Sequence, residues 1–253
     1  MVQSQVWLIT GASRGLGLEI TKAALKAGHT LDVAGTDVES QIRSAVTKHG
    51  KIDVLVNNAA YAVLGSIENT RQVRSIGFVD AIFKTNVLGC LRTIQAVLPS
   101  MRQRKAGTIV HISSSEFVGP TPALGVYSAT KFAMEEVASF NIRTLVMVPG
   151  GIRTGFSDPS GTGVEVPLDD AYKGTAVEWV TQAAKSPQFN ADFSDPVEVA
   201  QRIVDAVDGT GIMKGRELGR RVPLGKDTAQ HVEKRAQEYA DMAKNLKDIA
   251  ESV

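Results

Sequence analysis

The chain holds a single cysteine, Cys90, so no disulfide can form within it. No uninterrupted apolar run approaches the ~20 residues that a membrane-spanning helix needs. Neither sign of charge is in excess, since 28 basic and 27 acidic side chains leave a formal net charge of +1. A protein that grips nucleic acid or an anionic membrane needs a basic footprint, and this balance supplies none. Internal repeats and low-complexity linkers are missing too, and no basic leader with an apolar signal core precedes the first strand-like run. These absences predict an intracellular, cytoplasmic protein with small-molecule partners, and no nucleic acid or membrane among them.

What is present is enough apolar residue, 43% of 253, to pack a core. Val6–Thr10 is a short apolar run, followed by glycines and then by Leu16, Ile20, Ala23, Ala24 and Ala27 at helical spacing. A helical stretch over Val38–His49 leads to a second β-branched run, Ile52–Asn57. A long helix over Val79–Met101 leads to a third, Gly107–Ser113, and a helix over 126–140 to a fourth, Arg143–Pro149. Strands alternating with helices predict an α/β fold, a doubly wound parallel sheet covered on both faces, in a single domain over 1–253. From Gly155 to Phe193 the pattern breaks down. That stretch reads either as a lid over the carboxyl ends of the strands or as a mobile surface excursion. Asp195-Pro196 then starts a helix, and Val222-Pro-Leu resembles a last short strand. Ala229, Val232, Ala236, Ala240, Ala243 and Leu246 recur at helical spacing, which predicts a packing face.

The chemistry concentrates in Tyr127-Ser-Ala-Thr-Lys131. A phenol titrates near pH 10 and is a poor acid at neutral pH unless a nearby cation favours its ionised form. Residues four apart share a helix face, so Lys131 can be that cation. Gly11, Gly15 and Gly17 fall where the first strand gives way to the first helix. There the helix amides face a pyrophosphate and glycines let the backbone approach it, which makes the turn a dinucleotide site.

Thr10-Gly-x-x-x-Gly-x-Gly17, Asn57-Asn-Ala-Ala60, Asn86, Ser114, Tyr127-x-x-x-Lys131 and Pro149-Gly-Gly-Ile-Arg-Thr154 stand in the order seen in classical short-chain dehydrogenases/reductases. The chain resembles that family over nearly its whole length. The resemblance implies a Rossmann-type fold, no metal, and hydride transfer between a nicotinamide cofactor and a small-molecule carbonyl or alcohol. It implies Tyr127 as general acid or base and Lys131 as the cation that lowers its pKa and holds the nicotinamide ribose. Ser114 would hold the substrate oxygen, and Asn86, a helix-kinking asparagine, a water in the proton relay. Ser113 and Ser115 flank Ser114, and the thirteen-residue separation from Tyr127 selects Ser114.

For the cofactor, the resemblance implies Gly11, Ser13, Arg14, Gly15, Leu16 and Gly17 at the pyrophosphate turn, and Asn57 and Ala59 along the adenosine side. Pro149, Gly150, Ile152 and Thr154 would lie at the nicotinamide. Arg14 resembles the basic residue that favours a 2′-phosphate, so NADP(H) is preferred, with NAD(H) possible. Asp32 has two readings, a ribose-binding acid in an NAD site or part of a Leu31-Asp-Val33 segment that contacts adenine. Ala60 stands where glycine is usual. If the position needs a positive φ the change costs roughly 1 kcal/mol, and otherwise nothing.

Two intervals are short for the family. A strand and a helix are missing around residues 29–31, and the helix bearing Tyr127 is cut short at Glu135-Glu136. Loss of a central strand would expose unpaired edges, so the expectation is that the molecule carries further residues there; the alternative is a shortened chain, which an intact mass of 27.0 kDa with normal peptide bonds at both places would establish. Tyr61, Phe117, Val118, Phe156, Tyr172 and Trp179 are candidates for an apolar substrate wall, against ordinary core or lid packing. Helices 79–101 and 126–140 are where the resemblance implies a homodimer or homotetramer forms. The functional expectation is an NADPH-preferring reductase of ketones or aldehydes. Its rivals are a cofactor-binding regulatory protein without turnover and an epimerase or dehydratase of the same fold.

Overall fold

The structure, a computed structural model, describes residues 3–34, 38–71, 73–119, 121–133, 141–156, 163–186 and 190–252. Among these, six strands form one parallel sheet: β1 (Val6–Thr10), β2 (Thr30–Ala34), β3 (Val54–Asn57), β5 (Thr108–Ile112), β6 (Arg143–Pro149) and β8 (Arg221–Leu224), in the order β2-β1-β3-β5-β6-β8. Parallel strands buried on both faces read as continuous apolar runs rather than alternating ones, which is how β1, β3, β5 and β6 read.

Alternate side chains of each strand enter opposite cores. Trp7 and Ile9 pack with Leu16 and Ile20 of α1 (Gly15–Lys26) and Ile203 of α7 (Pro196–Asp208). Leu8 and Leu55 pack with Ile42 of α2 (Val38–His49) and with Ile94 and Val97 of α4 (Cys90–Arg104). The fold is therefore the expected doubly wound, Rossmann-type sheet. Because every strand of it is parallel, the ends of β1, β3, β5 and β6 open on one edge.

The shortened interval after α1 has a simple structural consequence. Thr30–Ala34 lies directly against β1, with Val6 opposite Thr30 and Thr10 opposite Ala34. The sheet closes up by one strand and becomes narrower, leaving no break in the hydrogen-bond ladder. The proposed Glu135-Glu136 junction lies outside the described residues. Among the described residues Lys105, Ala123 and Asn141 are the non-glycine residues of positive φ, and Ala60 is not one of them, so its extra methyl group costs no backbone strain.

Three expectations need correction. The long helix is interrupted: α3 (Val73–Phe83) and α4 are joined by a π-helical turn, Lys84–Gly89, that contains Asn86. A wide turn of this kind recurs at functional positions. The 155–193 stretch is partly ordered into elements. β7 (Gly163–Glu165) pairs in parallel with β4 (Ala62–Leu64), and Thr175 caps α6 (Ala176–Ala183) by accepting from the Glu178 N–H. The C-terminal helix α8 (Lys226–Asn245), followed by α9 (Lys247–Ala250), does not pack along its apolar stripe, since Val232 is 39% and Leu246 47% exposed. No helix among the described residues is long and apolar enough to cross a membrane.

Candidate active site

The glycine turn sits where β1 enters α1. Gly11 and Gly15 have φ of +65° and +55°, which side chains rarely adopt. A Cβ on Gly17 would fall 2.2 Å from the Gly11 carbonyl oxygen, so the turn can close this tightly only with glycine there. Asn58 braces it: its side-chain amide donates to the carbonyls of Thr10 (3.0 Å) and Gly11 (3.2 Å). In return the Thr10 hydroxyl accepts from the N–H groups of Asn58 and Ala59, both at 3.0 Å.

Of the asparagine doublet, therefore, it is Asn58 that supports the cofactor turn. Asn57 is buried, its Oδ1 accepting from Thr93 at 2.6 Å and its Nδ2 lying 3.5 Å from His111 Nδ1. It also lines a cavity beside Lys131. Asp32 lies on β2. Its carboxylate lies 3.3 Å from His49 and 3.7 Å from Lys48, at the far end of α2 from the carboxyl ends of the strands. Ser13 and Arg14 are exposed ahead of α1, and Leu16 is buried under the turn.

Ser114 leaves β5 and caps a short helical turn, Ser115–Phe117, by accepting from the Glu116 N–H. Tyr127 and Lys131 share a face of α5 (Gly125–Phe132), as their spacing requires, with Lys131 Nζ 5.6 Å from the tyrosine ring centroid. Nζ donates to the Ile112 carbonyl at 2.7 Å. Asn86 ties the site together. Its Nδ2 donates to the Tyr61 carbonyl and the Thr130 hydroxyl, both at 3.0 Å, and its Oδ1 accepts from the Tyr61 N–H at 3.2 Å.

Electrostatics differ from expectation at Tyr127. Burial pushes its phenol well above the usual value; the hydrogen bond from Ser114 opposes this and the charge of Glu116 adds to it. Burial also lowers Lys131 to about 8. The small cavity beside Lys131 is lined by apolar Ala59, Ile112 and Val146 as well as by Asn57, Asn86, Cys90, His111 and Ser113. There burial, helped by the Lys131 charge, pushes His111 down to about 4. His111 Nε2 and Ser113 Oγ find no hydrogen-bond partner among the described residues.

The nicotinamide-side segment continues β6. Pro149 pairs with Leu224, the Gly150 N–H donates to the Leu224 carbonyl, and Ile152 bridges to Ser194. Thr154 then faces the pyrophosphate turn, its Cβ 3.7 Å from where a Gly15 Cβ would be. Phe156 lies with its ring centroid 5.8 Å from that of Tyr127. Tyr61 joins the same apolar cluster. Other expected wall residues do not: Val118 packs under β6 with Val146 and Val148, and Trp179 is 65% exposed. Tyr172 spends its hydroxyl on Glu68 at 2.8 Å, at an exposed position. The Phe117 side chain lies outside the described residues.

The arrangement fits a dinucleotide. The amides at the start of α1 have no partner inside the helix, no acidic side chain stands in its first turn, and the glycines leave room at the backbone. Thr154 lies beside that turn, and Tyr127 and Lys131 are buried on α5. This is a nucleotide-binding α/β fold with a buried tyrosine and lysine sharing one helix face at the carboxyl ends of its strands. The profile of the short chain dehydrogenase family matches residues 30–164, and the chain belongs to the short-chain dehydrogenase/reductase family of NAD(P)-dependent oxidoreductases.

Oxidoreductase BOA17 of Botryotinia fuckeliana is 31% identical over 273 aligned positions, covering 92% of this chain and 93% of that protein. That alignment is longer than the chain's own 253 residues, as expected if this chain lacks segments its relative has. Retinol dehydrogenase 8 of Homo sapiens is 30% identical, covering 80% of this chain and 78% of that one. A short-chain dehydrogenase from Streptomyces avermitilis has a similar structure, with a TM-score of 0.81, 26% identity and 98% of each chain covered.

Proposed function

We propose that the protein is an NADPH-preferring oxidoreductase that reduces a ketone or aldehyde of a small or medium organic molecule, or oxidises the corresponding alcohol. The observation that carries the reading is the buried Tyr127, one helical turn from Lys131 on α5, beside the end of the strand that leads into Ser114. When bound, the cofactor would supply or accept the hydride. The chain does the rest. Ser114 holds the carbonyl oxygen, and Tyr127 gives that oxygen its proton as charge develops. Lys131, held by Ile112, would offer a donor to the ribose.

The preference for NADPH rests on Arg14, exposed at the mouth of the glycine turn, where a guanidinium suits a 2′-phosphate. Phe156 and Tyr61 beside Tyr127 support an apolar substrate body. Exposed Phe83, Leu88 and Leu91, along the helix that contains the π-turn, support assembly of subunits through that face.

The test is a panel of ketones and aldehydes with NADPH, followed by the absorbance of the reduced nicotinamide. Turnover that disappears in Tyr127→Phe supports the mechanism, and turnover that persists at the unaltered rate removes it. Tight NADPH binding with no turnover across the panel would favour a regulatory protein. Conversion of substrate without net cofactor oxidation would favour an epimerase or dehydratase.

A further inference from the structure

Helix α8 touches both halves of the site. Asp227, in its first turn, turns its carboxylate back across the end of β8, where Oδ2 accepts from the Gly151 N–H at 2.7 Å. The carboxylate is closely enclosed: a Cβ on Gly150 would fall 2.0 Å from Oδ2, and one on Gly225 2.6 Å from Oδ1. The ladder between β6 and β8 ends at Pro149 and Gly150, so beyond it the Gly151 amide depends on a side chain. On its other side Gly151 is held by the Ser194 N–H, which donates to its carbonyl at 2.9 Å.

Two turns along the same helix, Arg235 Nε donates to the Val118 carbonyl, at the end of the turn that Ser114 caps. The guanidinium is itself held, 2.8 Å from Glu238 and 5.8 Å from the Tyr239 ring centroid. An aspartate in a first helical turn is favourable for the helix dipole alone. That role would not require it to accept from a backbone amide 76 residues away.

We propose that α8 sets the separation of the two halves of the site: Asp227 is the positioning residue for the nicotinamide-side segment 149–154, and Arg235 for the Ser114 turn. The inference rests on the oxidoreductase reading above. A hydride moves only when donor and acceptor are held close and aligned, so a rigid strut gripping both sides contributes to rate without touching either reactant.

The two contacts predict different losses. Asp227→Ala frees Gly151 and raises the Kd for NADPH about tenfold or more, the worth of one charge-assisted hydrogen bond. Asp227→Asn keeps an acceptor in place and recovers most of that affinity. Arg235→Ala leaves the Kd within about twofold and lowers kcat by about tenfold, because Ser114 meets substrate rather than cofactor. Kd is read from NADPH fluorescence, kcat from carbonyl reduction, and folding from the melting temperature of each variant.

An unchanged Kd in folded Asp227→Ala, or equal losses in the Ala and Asn variants, overturns the role of Asp227. A kcat for Arg235→Ala equal to the unaltered enzyme's overturns that of Arg235. If Asp227→Ala does not fold, Asp227→Asn decides: a Kd within about threefold of the unaltered protein's supports the role and a larger loss overturns it. An unaltered protein that binds NADPH but turns over no carbonyl defeats the reductase reading and still leaves the Asp227 comparison measurable. One that binds neither NADPH nor NADH defeats both.

Discussion

Lys131 Nζ and the carbonyl oxygen of Ile112 are 2.7 Å apart, so the end of β5 holds the buried ammonium in place beneath Tyr127. Burial brings this lysine to about 8, against 10.5 for the free side chain. Below pH 8 both folded and unfolded chains hold the proton, and the folded state bears the full cost of a buried charge. Between 8 and 10.5 the unfolded chain binds more protons, so stability rises with pH across that window. Lys131→Met should therefore be more stable than the unaltered protein at pH 7, by on the order of 1 to 2 kcal/mol after the lost hydrogen bond, and inactive. Denaturant midpoints at pH 7 and pH 10 check this. The advantage should shrink at pH 10, and a variant less stable at both values contradicts it.

His111 acts with the same sign at lower pH. It lines the cavity beside Asn57 and Lys131, and burial brings it to about 4 rather than 6.5. As pH falls from 6.5 to 4 the unfolded histidine takes up a proton that the folded one refuses, and stability is lost, by up to about 3 kcal/mol. His111→Gln should flatten that loss. Urea unfolding at pH 7 and pH 4.5 measures it, and an unchanged difference between the two values would falsify the assignment.

The asparagine doublet should divide between two readouts. Asn58→Ala removes both bonds to the glycine turn and should weaken NADPH binding, with a stability cost of about 1 to 3 kcal/mol. Asn57→Ala breaks the buried bond from Thr93 and should lower the melting temperature while leaving NADPH affinity nearly unchanged. Gly17→Ala drives a methyl group into the Gly11 carbonyl and should abolish binding. Titration of cofactor fluorescence separates these outcomes.

Two aromatic residues from the same stretch should behave differently. Phe156 lies against Tyr127, so Phe156→Ala should raise the KM for an apolar carbonyl substrate about fivefold or more. Trp179 is 65% exposed, and Trp179→Ala should leave KM and kcat within about twofold. Steady-state kinetics on one substrate reads both.

Assembly is tested by light scattering. If subunits meet through the face bearing Leu88 and Leu91, which are 47% and 40% exposed, the unaltered protein runs as an oligomer. The double variant Leu88→Asp, Leu91→Asp should then run as a monomer with an unchanged circular dichroism spectrum. A monomeric unaltered protein would end the proposal.

Much of this was legible from spacing. The runs at Val6–Thr10 and Arg143–Pro149 and the helix Val38–His49 form with the bounds their patterns predict, because apolar period and breaker residues act over a few neighbours. The Tyr127–Lys131 face follows from helix geometry alone, and the glycine turn from its place between a strand and a helix. The short interval before Asn57 was visible in the sequence, but it pointed to further residues in the molecule and gave no sign that β2 could close directly onto β1.

Sequence by itself determined the class of fold, the shared helix face of Tyr127 and Lys131 and the glycine turn, since each depends on residues close together in the chain. Tertiary structure alone decided that Asn58 braces the glycine turn while Asn57 bonds Thr93. It also decided that Asp32 faces α2 and that burial raises Tyr127 where the lysine was expected to lower it. The hold of Asp227 on Gly151 belongs to the same group. These depend on what is packed around a polar atom and on partners dozens of residues away, and local spacing carries no information about either.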